Sequence, residues 1–170
     1  MNDDYRYTIK RFHRLNIIHR FHIHRIAENT GLYFGQPPIL LFIAENDGCT
    51  QKELAEKLGV STPSIATSVK RLERKGMIKK SEDEKDRRYC RLSTTETGSR
   101  LCQDYKRLCH DMEELMFQDF SKAECEQLSG YLERLTTNLS TQEILNKTNF
   151  AIIEEDKKIK SMRKEKEKYD

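Results

Sequence analysis

Between Thr62 and Arg88 this 170-residue chain gathers the side chains best suited to touch another molecule. Thr62, Ser64, Thr67, Ser68 and Arg71 recur at helical spacing on one outward side, with Pro63 in the first turn and Lys70 beside them. Short hydroxyls and cations without a bulky apolar group suit a major groove, where they can reach base edges and phosphates. Arg74 and Lys75 add positive charge nearby. A polar stretch, Ser81 to Arg88, then carries Asp86, Arg87 and Arg88 and reads as an exposed loop. Residues 50–100 hold 13 Lys/Arg against 8 Asp/Glu, although the whole chain carries only +3. A locally basic segment in a nearly neutral protein points towards a polyanion. The same residues are also compatible with ordinary solubilising charge, so this pattern alone leaves both readings open.

Other chemistries find less support. His13, His19, His22 and His24 are dense near the N-terminus, and His19 and His22 lie three apart, a spacing that can place two metal ligands on one helix face. Only His110 and the scattered cysteines 49, 90, 102, 109 and 125 could complete such a site, and no C-x-x-C pair occurs. The expectation is therefore no metal and no cofactor, with the histidines as polar residues near an interface that protonation could tune. Cys49 precedes a helix start, which can lower a thiol pKa. Cys102 and Cys109, seven apart, are expected to pack as small apolar groups. There is no G-x-S-x-G, phosphate loop or H-E-x-x-H, so the chain does not read as an enzyme. The longest apolar run, Ile39 to Ala44, is far short of the roughly 20 residues that cross a bilayer. The acidic start lacks the apolar core of a secretory signal. With its odd number of cysteines, this gives a cytoplasmic expectation.

The elements that must position these residues follow from local signals. Tyr5 to Glu28 has no Gly or Pro, and Phe12, Leu15, Ile18, Phe21, His22 and Ile26 keep helical spacing up to a stop at Gly31. Pro37-Pro38 opens a short apolar helix to about Glu45, placed at the centre of the fold. Thr50-Gln51-Lys52-Glu53 is a capping box for a helix that ends at Gly59. Ser61 or Thr62 caps the next helix, which runs to about Lys75 with Ile65, Val69 and Leu72 inward. Ala55 faces it because a larger residue would separate the pair, while Val60 and Ile65 fill the gap. Extended pieces are expected at residues 77–80 and 89–92. Thr94 or Thr95 then caps a long helix whose Leu101, Tyr105, Leu108, Met112 and Leu115 form a seam that wants a partner. Ser121 to Glu124 is a second capping box, followed by Leu128, Tyr131, Leu132, Leu135 and Leu139. From about Asn146 the apolar pattern fades, and the last 14 residues, Lys157 to Asp170, are mostly Lys and Glu and are expected to form a solvated helix or a disordered tail.

Two short helices, a tight Gly59-Val60 turn and a hairpin with a charged tip form a winged helix-turn-helix. The segment resembles the MarR/SlyA family of bacterial transcription regulators. The matching residues are 51–61 (Gln-Lys-Glu-Leu-Ala-Glu-Lys-Leu-Gly-Val-Ser), Leu72 to Ile78, and Asp83-x-x-Asp86-Arg87-Arg88, with Leu92-Ser93/Thr94 and Gly98 downstream; they span roughly residues 30–100.

The resemblance implies a mainly α fold with a small β-hairpin wing, a winged helix-turn-helix lobe and a helical dimerisation region. The expected layout is an N-terminal dimerisation helix at 1–30, a DNA-binding domain at 31–100, C-terminal dimerisation helices at 101–145 and a charged tail at 146–170. It implies a homodimer, each recognition helix in a major groove and each wing in the adjacent minor groove of a pseudo-palindromic operator. Pro63, Ser64, Thr67 and Ser68 fall where relatives approach bases, and Arg87 falls at the wing tip that enters the minor groove. Asp86 and Arg88 would brace one another. The implied function is a repressor whose DNA affinity a small aromatic effector lowers, at a pocket whose residues stay unknown. Two alternatives remain: a metal-responsive regulator, and a winged-helix module that binds protein rather than DNA. The second would be favoured if another part of the chain, such as the tail, covered the recognition helix.

Overall fold

The computed structural model describes residues 4–33, 35–83 and 90–166. Helix α1 spans Asp4–Asn29 and α2 spans Pro37–Glu45. The segment between them turns at Gly31, whose φ of 70° is the left-handed conformation that ends a helix at little cost only for glycine. As its composition predicts, α2 is the centre of the fold. Ile39, Leu40 and Ile43 are all buried, and the helix packs on the later elements of the lobe.

A two-residue strand β1, Cys49–Thr50, leads into α3, Gln51–Leu58, and then α4, Thr62–Arg74. The wing strands are β2, Ile78–Glu82, and β3, Cys90–Thr94. They make a three-stranded antiparallel sheet in the order β1-β3-β2, with Cys49 opposite Leu92 and Lys80 opposite Leu92 on the other edge. Two features differ from the sequence reading. β1 was not expected, because a two-residue strand has no periodicity to detect. Ser81 and Glu82, read as loop, extend β2, because Arg91 and Cys90 continue the ladder opposite them. An edge strand tolerates such polar residues on its open face. Leu92 is fully buried at the middle of the sheet and closes the core formed with Leu40, Leu54, Ile65, Val69 and Leu72.

Helix α5 spans Glu96–Met116 and α6 spans Lys122–Leu139. Thr95 is the cap of α5, and it also ties that helix to the wing. Its hydroxyl accepts from the Gly98 amide at 3.1 Å and donates to the Gly76 carbonyl at 2.6 Å. A short helix α7, Gln142–Leu145, precedes α8, Asn149–Lys166. The tail is helical over Asn149–Lys166, and its first turn packs on the lobe: Phe150 lies against the core cluster.

The outer helices are only partly covered. On α1, Phe12, Leu15, Ile18 and Phe21 are between 43% and 57% exposed, and on α6 Leu135 and Leu139 are 50% and 83% exposed. The α5 seam is half-buried from Leu101 to Met112 and opens at Leu115. Among the described residues no helix is long and apolar enough to cross a membrane.

Both capping boxes form. Glu53 accepts from the Thr50 amide at 2.7 Å while the Thr50 hydroxyl accepts from the Glu53 amide at 3.2 Å, and Ser121 with Glu124 repeats the arrangement. These hydrogen bonds stabilise the ionised carboxylates and hold both below the usual value: the Thr50 amide leads for Glu53 and the Ser121 hydroxyl for Glu124. A depressed carboxylate contributes stability that is complete above the unfolded-state pKa, roughly 4.3, and disappears as pH falls through the folded-state value. The urea midpoint gap between the parent protein and a Glu53→Gln/Glu124→Gln variant should therefore narrow steadily on acidification below about pH 4.5.

Gly98 packs directly on the strand start. A Cβ there would sit 1.9 Å from the Met77 carbonyl oxygen. Backbone must move to admit it, so Gly98→Ala should cost about 2–3 kcal/mol and lower the thermal midpoint by roughly 4–10 °C in a melting scan.

Candidate nucleic-acid interface

The surface is organised by how α4 is rotated about its own axis. Ile65, Val69 and Leu72 are each at most 1% exposed, and they anchor one side of the helix in the core. Ala55 of α3, 4% exposed, lets the two helices approach, and Val60 plugs their junction. Gly59 makes the turn with a φ of 69°, and its amide satisfies carbonyls at the end of α3. Ser61 occupies the cap position of α4 in extended conformation, but its hydroxyl pairs with the Ser64 hydroxyl at 3.0 Å rather than with a backbone amide. Pro63 sits in the first turn, where the missing N–H costs nothing.

With the inner stripe fixed, the residues expected to meet a partner divide into two groups. Thr62, Pro63, Thr67, Lys70 and Arg71 are exposed along the outer side of α4. Ser64 and Ser68 are half-buried on its flank. The Thr67 hydroxyl donates to the Pro63 carbonyl at 3.1 Å. Arg74 extends the exposed cationic edge. Lys75, counted with these charges in the sequence, is otherwise engaged: its ammonium donates to the Gly31 carbonyl at 2.6 Å and lies 4.2 Å from the Tyr33 ring centre.

Asp86, Arg87 and Arg88 lie outside the described residues. At the base of the wing, the residues that brace it are ones to which the sequence reading gave no bracing role. Arg91 donates through Nε to Asp83 at 2.5 Å and through Nη1 to the Gly48 carbonyl at 3.1 Å, which joins β3 to both neighbouring segments. Lys80 pairs with Glu73 at 2.7 Å and fixes β2 to the end of α4. An arginine facing an aspartate across a short hairpin is the only sequence signal for this brace, and charge alone does not separate it from its neighbours.

Two of the five thiols, Cys49 and Cys102, are buried. The helix start after Cys49 can lower a thiol pKa, but burial, reinforced by Glu53, pushes this thiol up. Cys102 is buried too, with its sulfur 3.7 Å from the Leu40 carbonyl, in keeping with the apolar packing expected of it. Among the described residues no group of three or more His, Cys, Asp or Glu is placed to hold a metal ion.

A helix pair with this rotation, this turn and this wing has counterparts. The sequence model described as MarR family matches residues 30–88. YybA of Bacillus subtilis, described as an uncharacterised HTH-type transcriptional regulator, is 32% identical over 105 residues, 62% of this chain and 70% of its own. The chain belongs to the MarR family. The HTH-type transcriptional regulator BilQ of Clostridium symbiosum is 27% identical over 108 residues, 64% of this chain and 75% of its own. The crystal structure of MarR matches with a TM-score of 0.59 at 27% identity, covering 77% of this chain and 96% of its own. A structure of Streptococcus pneumoniae FabT in complex with DNA shares the fold with a TM-score of 0.64 at 22% identity, covering 78% of this chain and 96% of its own. YybA and BilQ are described as transcription regulators, and this chain is a MarR-family transcription regulator of the winged-helix fold. The MarR and FabT structures are spanned almost completely, while about a fifth of this chain extends beyond the match.

Burial sets the order of thiol reactivity in this regulator. Cys49 and Cys102 should stay unlabelled by iodoacetamide at mildly alkaline pH over a time in which urea-unfolded protein labels fully, as read by peptide mass spectrometry.

Proposed function

We propose that this regulator acts as a cytoplasmic homodimer that binds a pseudo-palindromic DNA operator and represses transcription until a small effector lowers its affinity. The observation that carries this reading is the outer side of α4. Thr62, Pro63, Thr67, Lys70 and Arg71 are exposed together on a helix whose opposite side is locked in the core. A rigid helix offering hydroxyls and cations is what base edges and phosphates require. Arg87 is assigned to the minor groove, with Asp86 and Arg88 holding the wing tip, and Ser64 and Ser68 complete the reading surface as α4 settles in the groove. FabT, a protein of the same fold, has been captured on DNA.

The dimer reading rests on the outer helices. An apolar stripe as exposed as that of α1, with Leu132, Leu135 and Leu139 of α6 also open, favours coverage by a second copy. Two copies related by a two-fold axis would present two α4 helices to successive major grooves, about one helical turn apart.

Selection of bound duplexes from random DNA tests the proposal. The expected product is an inverted repeat, bound with an affinity that falls steeply with salt as phosphate counterions are released. Arg87→Ala should weaken binding to that repeat by about 1–3 kcal/mol. Lys70→Ala should weaken all sequences alike and flatten the salt dependence. No enrichment at low salt would overturn the proposal. It would favour the protein-binding module, a reading that the partial cover on the Ser64 and Ser68 flank also admits.

A further inference from the structure

Helix α8 is held on the helix-turn-helix at its turn. Thr148 caps α8, accepting from the Ala151 amide at 3.1 Å, and its hydroxyl donates at 2.6 Å to the carbonyl of Leu58, the last residue of α3. The approach is so close that a Cβ on Gly59 would lie 3.2 Å from the Ala151 Cβ. Beyond this anchor, Phe150 and Glu154 border a cavity of about 190 Å³ against Ser64, Ser68 and Arg71 of α4. Ala151, Glu154 and Glu155 form one wall of an open groove of about 710 Å³, whose other wall includes Lys52 and Glu56 of α3 and Thr62 of α4.

That groove lies where DNA has to pass. In a helix-turn-helix the N-terminal end of the second helix meets the bases, while the first helix crosses the phosphate backbone. The walls of the groove are those two parts. With α8 in place, the groove is lined by Glu56, Glu154 and Glu155 alongside Lys52 and Lys147, and it is narrowed by a helix about 10 Å across. Lys147, a cation that could face phosphate, is instead held between Glu143 at 2.6 Å and Glu155 at 2.8 Å. Ser64 and Ser68 are half-buried on the same side.

The contact also leaves space along its seam. The Thr148 hydroxyl bond and the Phe150 ring cross it, the Lys147 ion pairs lie within the tail, and the cavity and the groove run beside it. The amide nitrogen of Gln36, a buried side chain that borders the cavity, has no hydrogen-bond partner there. An interface with such gaps gives up much less on opening than a close-packed core would.

We propose that α8 is an intramolecular gate on the DNA-binding surface: docked, it closes the groove between α3 and α4 to the phosphate backbone, and DNA binds only the fraction of molecules in which it has swung away. This rests on the DNA-binding reading above. The apparent dissociation constant is then the intrinsic one divided by the open fraction, so loosening α8 tightens binding without adding a contact to DNA.

The test uses the full chain. Ala151→Gln places a longer neutral side chain against Gly59, and Phe150→Ala/Ala151→Gln also removes the anchoring ring. Amide exchange over 149–156 reports whether α8 has loosened, and titration with the selected duplex at fixed salt reports affinity. The expected result is faster exchange in at least one variant and binding fivefold or more tighter in that variant, with DNA also speeding exchange over 149–156 in the parent. Looser α8 with unchanged or weaker binding would overturn the gate while leaving the DNA reading intact. Exchange that neither variant changes would overturn it as well, because α8 would then be a fixed part of the lobe. If neither parent nor variants bind any duplex, both readings fall together.

Discussion

Ile65, Val69 and Leu72 set the rotation of α4, and the interface follows from that rotation. A helix has only one angle at which three residues spaced by four and three can all be removed from water. These three are at most 1% exposed, and together their burial is worth several kcal/mol at about 1.5–3 kcal/mol per side chain. That energy outweighs anything the outer residues gain from solvent. Thr62, Pro63, Thr67 and Lys70 therefore point outward because their neighbours in sequence point inward. Ala55 and Gly59 serve the same end: one keeps α3 close enough to complete the pocket for the inner stripe, and the other turns the chain sharply enough to bring α4 back across it.

The wing is attached to this frame by polar links more than by burial. β2 buries Ile78 and exposes the rest, so its position depends on the ladder to β3 and on charged bonds. Arg91 reaches Asp83 on one side and the Gly48 carbonyl on the other, and Lys80 reaches Glu73 on α4. Thr95 and the bare backbone of Gly98 then lock α5 onto the wing's first residues. The helix that leads out of the lobe is thus coupled to the hairpin. Rigid coupling of this kind would let a change among the outer helices reach the wing.

Cys49 illustrates how a local rule yields to the fold. Proximity to a helix start favours a thiolate, and in the sequence that is the visible influence. In the folded chain Cys49 pairs with Leu92 in the sheet and is 7% exposed, so loss of solvent outweighs the helix start, and Glu53, the capping carboxylate, adds to the upward push. The tail shows the other side of this. Ahead of its Lys- and Glu-rich end, Thr148, Phe150 and Ala151 carry a cap, an aromatic ring and a small residue that fit the turn at Gly59, a match that their own sequence does not announce.

The sequence by itself determined helices α1 to α6, the caps at Thr50 and Ser121 and the inner and outer sides of α4, because these depend on residues within four positions of one another. Capping boxes at Thr50 and Ser121, the stop at Gly59 and the 4-and-3 stepping of apolar residues are complete local signals, and most of the candidate interface was legible from them. Only the tertiary structure decided that Arg91 bridges to Gly48 and Asp83, that β1 joins the sheet, and that Thr148 bonds Leu58 from 90 residues away. Those contacts join groups that are distant along the chain and carry no periodicity, so their pairing is fixed by which surfaces the packed core brings face to face.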